Sequence, residues 1–272
     1  MKGSIGIFDS GYGGLTVLKE IVKELPQYSY QYLGDNARAP YGSRSYETVY
    51  QYTLQCVEWF FSQGCSLVIL ACNTASAKAL RTIQQKDLPK TAPNKRVLGV
   101  IRPTTEVLGQ YTHTNKVGIV GTSGTILSNS YPIEIAKFFP DIKVYQEACP
   151  MWVPLIENNE YYSAGADYFV EKHLQNLFNQ DKDIDTLLLA CTHYPLLLEK
   201  LQQFTPSSVT IVSQGEIIAK SLADYLKRHP EVEDKCLQTA SIGFYTTDDT
   251  TDFNNKATIF WGDKVHSNHV VL

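Results

Sequence analysis

Apolar residues fall along this chain in two kinds of run. Short continuous ones, Leu67–Ala71 and Leu187–Ala190, have no alternation and end at a polar break. Such a run predicts a strand buried on both faces, as in a parallel sheet. Ser4–Phe8, Gln31–Gly34, Lys116–Val120, Lys143–Gln146 and Thr186–Ala190 read as strands on the same grounds. Longer stretches, Leu15 to Leu25 and about Tyr46 to Gln63, carry the helical period. Strands alternating with helices predict βαβ units and hence an α/β fold with mainly parallel sheets.

The order recurs. Lys116–Val120 and its turn Gly121-Thr122-Ser123-Gly124-Thr125 align with Ser4–Phe8 and the turn Asp9-Ser10-Gly11-Tyr12-Gly13-Gly14. Lys143–Gln146 matches Gln31–Gly34, and Thr186–Ala190 matches the run before Cys72. Three matches in one order predict two related, pseudo-symmetric α/β domains. Beyond Thr205, Val209–Val212, Ser241–Thr246 and Ala257–Phe260 read as strands and Gln214–Arg228 as a helix. This segment is expected to pack back on the first half. The domains are then residues 1–98 with 209–272, and residues 99–208.

Both apolar runs end in Ala-Cys. Cys72 and Cys191 therefore stand just past the carboxyl ends of their strands, the edge where open α/β sheets bind ligands. A lone buried cysteine is usually inert packing, the expectation for Cys56, Cys65, Cys149 and Cys236, which lack this frame. A repeated frame delivers one thiol from each half to a shared cleft, the geometry of two-base proton transfer. Asn73-Thr74 and Thr192-His193 follow the thiols and supply donors. A helix beginning there would add free N–H groups for a carboxylate and lower the thiol pKa toward neutrality. His193 is placed to orient or protonate near Cys191. Asp9 projects from a carboxyl edge too, or serves only as a turn residue. The glycines at 11, 13 and 14 fit neither phosphate-loop motif, which disfavours a nucleotide.

Composition narrows the partners. A net charge of −4 and a pI near 5.9, without a Lys/Arg block, disfavour nucleic acid and anionic membrane. No apolar stretch reaches the ~20 residues of a membrane span, and none near the N-terminus suits a secretion signal. Six cysteines without close pairing do not form a disulfide framework, so a reducing cytoplasm is expected. No spacing suggests a metal site, and His266 and His269 are expected in solvent. No lysine has the context of a pyridoxal phosphate attachment, so no cofactor is expected.

The segments Ile5–Leu15, Tyr32–Asp35, Pro40-Tyr41-Gly42, Ala71–Ala75 and Ala190–Leu196 together resemble the glutamate racemase family. That family lies within the cofactor-independent aspartate/glutamate racemase superfamily, and the resemblance runs from the first strand to about Leu198. It implies two pseudo-symmetric α/β domains with the active site between them, interconversion of L- and D-glutamate, supply of D-glutamate for peptidoglycan, and a homodimer. Carried over, Cys72 and Cys191 are the proton donor/acceptors, the first working on D-glutamate and the second on L-glutamate. Asp9 and His193 assist them, and Glu157 holds a supporting position. Asp9, Ser10, Tyr41, Gly42, Asn73, Thr74, Thr192 and His193 match substrate-binding positions, with Thr122 a further carboxylate contact. One departure is Arg102, where the resemblance leads one to expect an acidic residue or alanine before Pro103; no direct catalytic consequence is expected.

The chemistry suits that assignment. An α-hydrogen beside a carboxylate is weakly acidic, so the site must exclude water, bind the carboxylate and present one base to each face. Three alternatives stay open on the residues alone. A racemase of the same superfamily would act on aspartate or another acid; a thiol hydrolase or amidase would use Cys191 and His193; a two-lobed amino-acid-binding module would need no thiols.

Overall fold

The computed structural model describes residues 2–272; Met1, the first position of the expected N-terminal domain, lies outside them. Ten strands carry the framework: β1 Ile5–Asp9, β2 Tyr30–Gly34, β3 Leu67–Leu70, β4 Arg96–Gly99, β5 Lys116–Gly121, β6 Lys143–Ala148, β7 Thr186–Ala190, β8 Thr210–Val212, β9 Ile242–Thr246 and β10 Ser267–His269. They form two sheets, ordered β10-β9-β2-β1-β3-β4 and β6-β5-β7-β8, and every strand pairing is parallel. β1, β3 and β7 are buried along their whole length, which is why each reads as an unbroken apolar run.

The duplication is visible in the strand order. β1 lies between β2 and β3, β5 lies between β6 and β7, and β4 and β8 extend the two sheets in the same sense. The segment after Thr205 is more divided than its sequence suggests. β8 pairs with β7 (Leu188 opposite Val212), so it belongs to the second sheet, and the chain returns to the first only after Val212. The expected boundary at residue 209 therefore moves past β8. β9 and β10 then extend the first sheet beyond β2.

A second correction concerns Ala257–Phe260, which lies inside the helix Thr250–Trp261 and not in a strand. Phe253, Ala257 and Phe260 are its buried residues. Their spacing of four and then three places them on one helical face, and that periodicity outweighs the apolar run.

Helices cover the sheets by ordinary amphipathic packing. In α1 (Gly14–Glu24) the residues Leu15, Leu18 and Ile21 are buried, and α1 packs against the helix Gly215–Arg228 through its Ile218, Ala219, Leu222 and Leu226. α2 (Tyr46–Ser62) begins at Ser45, whose Oγ accepts from the Thr48 N–H at 3.1 Å. A cap of this type contributes about 1 kcal/mol. α3 (Asn73–Lys78) follows β3 directly and starts at Cys72. Among the described residues no helix is long and apolar enough to cross a membrane.

Candidate active site

Six strand ends converge on one pocket. Ser10 comes from the end of β1, Tyr41 and Gly42 from the loop after β2, and Cys72, Asn73 and Thr74 from the end of β3. The second sheet supplies Thr122 and Ser123 after β5, Cys149 to Glu157 after β6, and Cys191, Thr192 and His193 after β7. Both frame cysteines thus line one space of about 110 Å³, one from each sheet. That is room for several waters or one small molecule, since about 10–15 Å³ on this measure holds a single water. Two larger clefts, of about 870 and 740 Å³, contain no cysteine.

Cys72 is the N-cap of α3. Its Sγ accepts from the Ala75 N–H and donates to Ser10 Oγ, both at 3.5 Å. The helix start does not lower this thiol as its position in the sequence suggests. Burial first, and then the negative charge of Asp9, push Cys72 up to about 12, outweighing its hydrogen bonds with Ser10 and Ala75. Cys72 accordingly rests as a thiol.

Cys191 sits beside a charge chain. Its Sγ lies 3.9 Å from His193 Nδ1, and His193 Nε2 is 2.8 Å from Glu157 Oε1. Burial opposes a charge on this imidazole, but the thiol on one side and the carboxylate on the other hold it up at about 10. Near neutral pH the ring is an imidazolium that donates in both directions.

Asp9 lies behind the pocket wall with no exposed surface. It accepts from the Gly11 N–H at 3.0 Å and from Thr192 Oγ1 at 3.4 Å. Burial raises its carboxyl, partly offset by His193 and by the N–H groups of Gly11 and Gly14. The Asp9 side chain is thus enclosed, and Ser10 is the residue of this turn that lines the pocket.

The hydroxyls of Thr74 and Thr122 meet across the cleft at 2.9 Å, and the Gly124 N–H donates to Gly42 O at 2.7 Å. A Cβ on Gly42 would come 2.9 Å from Thr122 Cβ, so this close crossing needs glycine. Thr122 also caps the short helix Ser123–Leu127. The first N–H groups of this helix and of α3 have no acceptor inside their own helices. Tyr41 is fixed from behind, its hydroxyl donating to the buried Asp35 carboxylate, which also takes Arg38 Nε at 2.7 Å and Thr247 Oγ1 at 2.8 Å. Gly13 explains the glycine turn: a Cβ there would lie 2.3 Å from both His193 Nδ1 and Thr192 Oγ1. These glycines let one half of the chain approach the other; they do not cradle a phosphate.

Residues 5–222 match the Asp/Glu/Hydantoin racemase family model. The chain belongs to that family. A glutamate racemase of Persephonella marina is 39% identical over 267 residues, covering 97% of this chain and 95% of its own length. The crystal structure of a glutamate racemase isoform of Bacillus anthracis superposes with a TM-score of 0.90 at 34% identity, covering 99% of this chain and 98% of that one. The Francisella tularensis glutamate racemase, solved in complex with D-glutamate, gives 0.87 at 31% identity, with coverages of 99% and 98%.

Every residue that the resemblance nominates for catalysis or substrate binding, except Asp9, lines the pocket described above. The pocket is also lined by Ser123, Val153 and Pro154, for which the sequence offers no signal, and by Cys149, expected only as packing. Cys149 follows β6 directly and is itself preceded by Ala148, so the carboxyl-edge rule that finds Cys72 and Cys191 also reaches it; the run before it, Lys143-Val144-Tyr145-Gln146-Glu147, is broken by polar residues and gives no buried-strand signal. Its thiol is buried and raised by burial first and Glu147 second. Arg102 lies outside the pocket, pairing with Glu106 at 2.9 Å on the surface. Among the described residues no three metal-ligating side chains cluster, and His266 and His269 are exposed.

Proposed function

We infer that the protein is a glutamate racemase that moves the α-proton between two thiols, supplying D-glutamate for peptidoglycan. The observation that carries this reading is the delivery of Cys72 and Cys191 to one pocket from corresponding strand ends of two like-ordered sheets. Inversion of a carbon centre requires a base on one face and an acid on the other, and a duplicated fold supplies both.

The resting protonation follows from the surroundings. Cys72, kept a thiol by burial and Asp9, is the acid, and Cys191 takes the α-hydrogen. The C–H electron pair passes to the substrate carboxylate, the Cys72 proton adds to the opposite face, and the enzyme is left with Cys191 as thiol and Cys72 as thiolate. That form accepts the other enantiomer. The His193 imidazolium, backed by Glu157, places positive charge beside Cys191 while it carries negative charge. The hydroxyls of Ser10, Thr74 and Thr122 and the helix-start N–H groups beside Asn73 and Ser123 stabilise the carboxylate as charge builds on it. Asp9 acts from behind the wall on both halves, through its charge on Cys72 and its hydrogen bond with Thr192. The family resemblance supports a homodimer, checked by sedimentation velocity, and a cytoplasmic location.

The test is to incubate purified protein with L-glutamate and no added cofactor, following optical rotation and total glutamate. Rotation falling to zero with glutamate conserved supports the racemase. Hydrolysis products would instead indicate a thiol hydrolase, and an unchanged solution a binding module. Faster loss of rotation with L-aspartate than with L-glutamate would reassign the substrate. Activity is expected to survive dialysis against a chelator.

A further inference from the structure

Behind the pocket wall three buried side chains close a hydrogen-bonded ring. Tyr131 donates its hydroxyl hydrogen to Asn73 Oδ1 at 2.5 Å, and Gln214 Nε2 donates to the Tyr131 oxygen at 2.7 Å. Asn73 Nδ2 completes the circuit by donating to Gln214 Oε1 at 2.8 Å. Asn73, Tyr131 and Gln214 are 3%, 0% and 5% exposed, so water does not stand in for any of these partners.

The ring has a sense, and one residue outside it decides which. Turned the other way, with both amides reversed, the circuit would close equally well. Gln214 Nε2, however, also donates to Thr104 Oγ1 at 2.8 Å, and the Thr104 hydroxyl hydrogen is spent on Val100 O at 2.9 Å. Thr104 can then only accept. Gln214 must present its NH₂ to Thr104 and Tyr131, and the Asn73 amide is fixed with its oxygen toward Tyr131. One Asn73 N–H is consumed in the ring; the other remains for the pocket that Asn73 lines.

The members come from places that must keep register for the cleft to exist. Asn73 adjoins Cys72, and Tyr131 lies on a helix of the second domain, Ser130–Phe138. Thr104 belongs to Ile101–Val107, where the chain leaves the first sheet, and Gln214 stands where it returns after β8. We propose that Gln214 and Tyr131 are positioning residues, which hold the Asn73 amide in a single orientation at the substrate pocket and tie it to both interdomain crossings. The proposal rests on the glutamate reading above.

A double-mutant cycle on the full-length protein tests it. Gln214→Leu is expected to lower kcat/KM for glutamate roughly tenfold, chiefly through KM, as for loss of an oriented buried hydrogen bond. In an Asn73→Ala background, which keeps both thiols, the same substitution should cost less than about twofold. Equal losses in both backgrounds, or no loss in the first, would overturn the proposal, because a merely structural Gln214 acts whether or not Asn73 is present. Tyr131→Phe removes one hydroxyl from the ring and is carried through the same cycle with the same expectation, so a Gln214 variant that fails to fold leaves the test intact. Absence of racemisation by the unaltered protein would defeat the underlying reading; racemisation with equal losses defeats the ring alone.

Discussion

His193 bridges Cys191 and Glu157, its Nδ1 3.9 Å from the thiol sulfur and its Nε2 2.8 Å from the carboxylate. The charge on this imidazole is therefore a property of the pair it joins. Removing the carboxylate in Glu157→Gln takes away an attraction that holds the ring's pKa up at about 10. The alkaline limb of kcat/KM against pH is expected to move to lower pH by about one unit or more. An unmoved limb would remove His193 from the titrating machinery.

The same group links pH to stability. A histidine raised from 6.5 to about 10 on folding contributes stability that is fully present below pH 6.5. That contribution is lost as pH rises toward 10. His193→Asn should accordingly flatten the fall in melting temperature between these limits while lowering stability at pH 6. Parallel melting curves for the two proteins would contradict the raised value.

Gly13 is tested by addition of a single methyl group. Gly13→Ala places a Cβ 2.3 Å from His193 Nδ1 and Thr192 Oγ1, so either the imidazole or the α1 start must shift. A displacement near 1 Å at a catalytic group costs roughly 10²-fold in rate. Circular dichroism and kcat together check it: a folded variant with undiminished turnover would show that the close approach has no functional weight.

Asp9 raises the Cys72 thiol through its charge, second only to burial. In a Cys191→Ser background, alkylation at Cys72, followed against pH by peptide mass spectrometry so that Cys149 and the other free thiols are counted apart, reads that thiol. Asp9→Asn should move the titration to lower pH by about one unit, because a like charge has been removed. A shift to higher pH would mean that Asp9 supports the thiolate and that its assignment here has the wrong sign.

Much of this was legible in the sequence because parallel strands buried on both faces write themselves as unbroken apolar runs, and the two most prominent end in cysteines. β4 escaped because Arg96-Val97-Leu98-Gly99 offers only two apolar residues, and β10 because the edge strand Ser267-Asn268-His269 has none. Ala257–Phe260 misled because a four-residue window cannot distinguish a strand from one face of a helix. The raised Cys72 thiol was not legible, since it depends on how completely Asp9 and the thiol are enclosed. The Asn73–Tyr131–Gln214 ring joins positions up to 141 residues apart, and no local pattern announces it.

The central claim, one thiol on each face of Cα, is tested most directly in deuterated water. Starting from L-glutamate, early product should be D-glutamate carrying deuterium at Cα, while recovered L-glutamate keeps its protium; the mirror result is expected from D-glutamate. Cys72→Ser and Cys191→Ser should each lose roughly 10²–10⁴-fold in racemisation with the fold retained. D-glutamate formed with its original α-hydrogen, or near-normal racemisation by either serine variant, would contradict the two-thiol account.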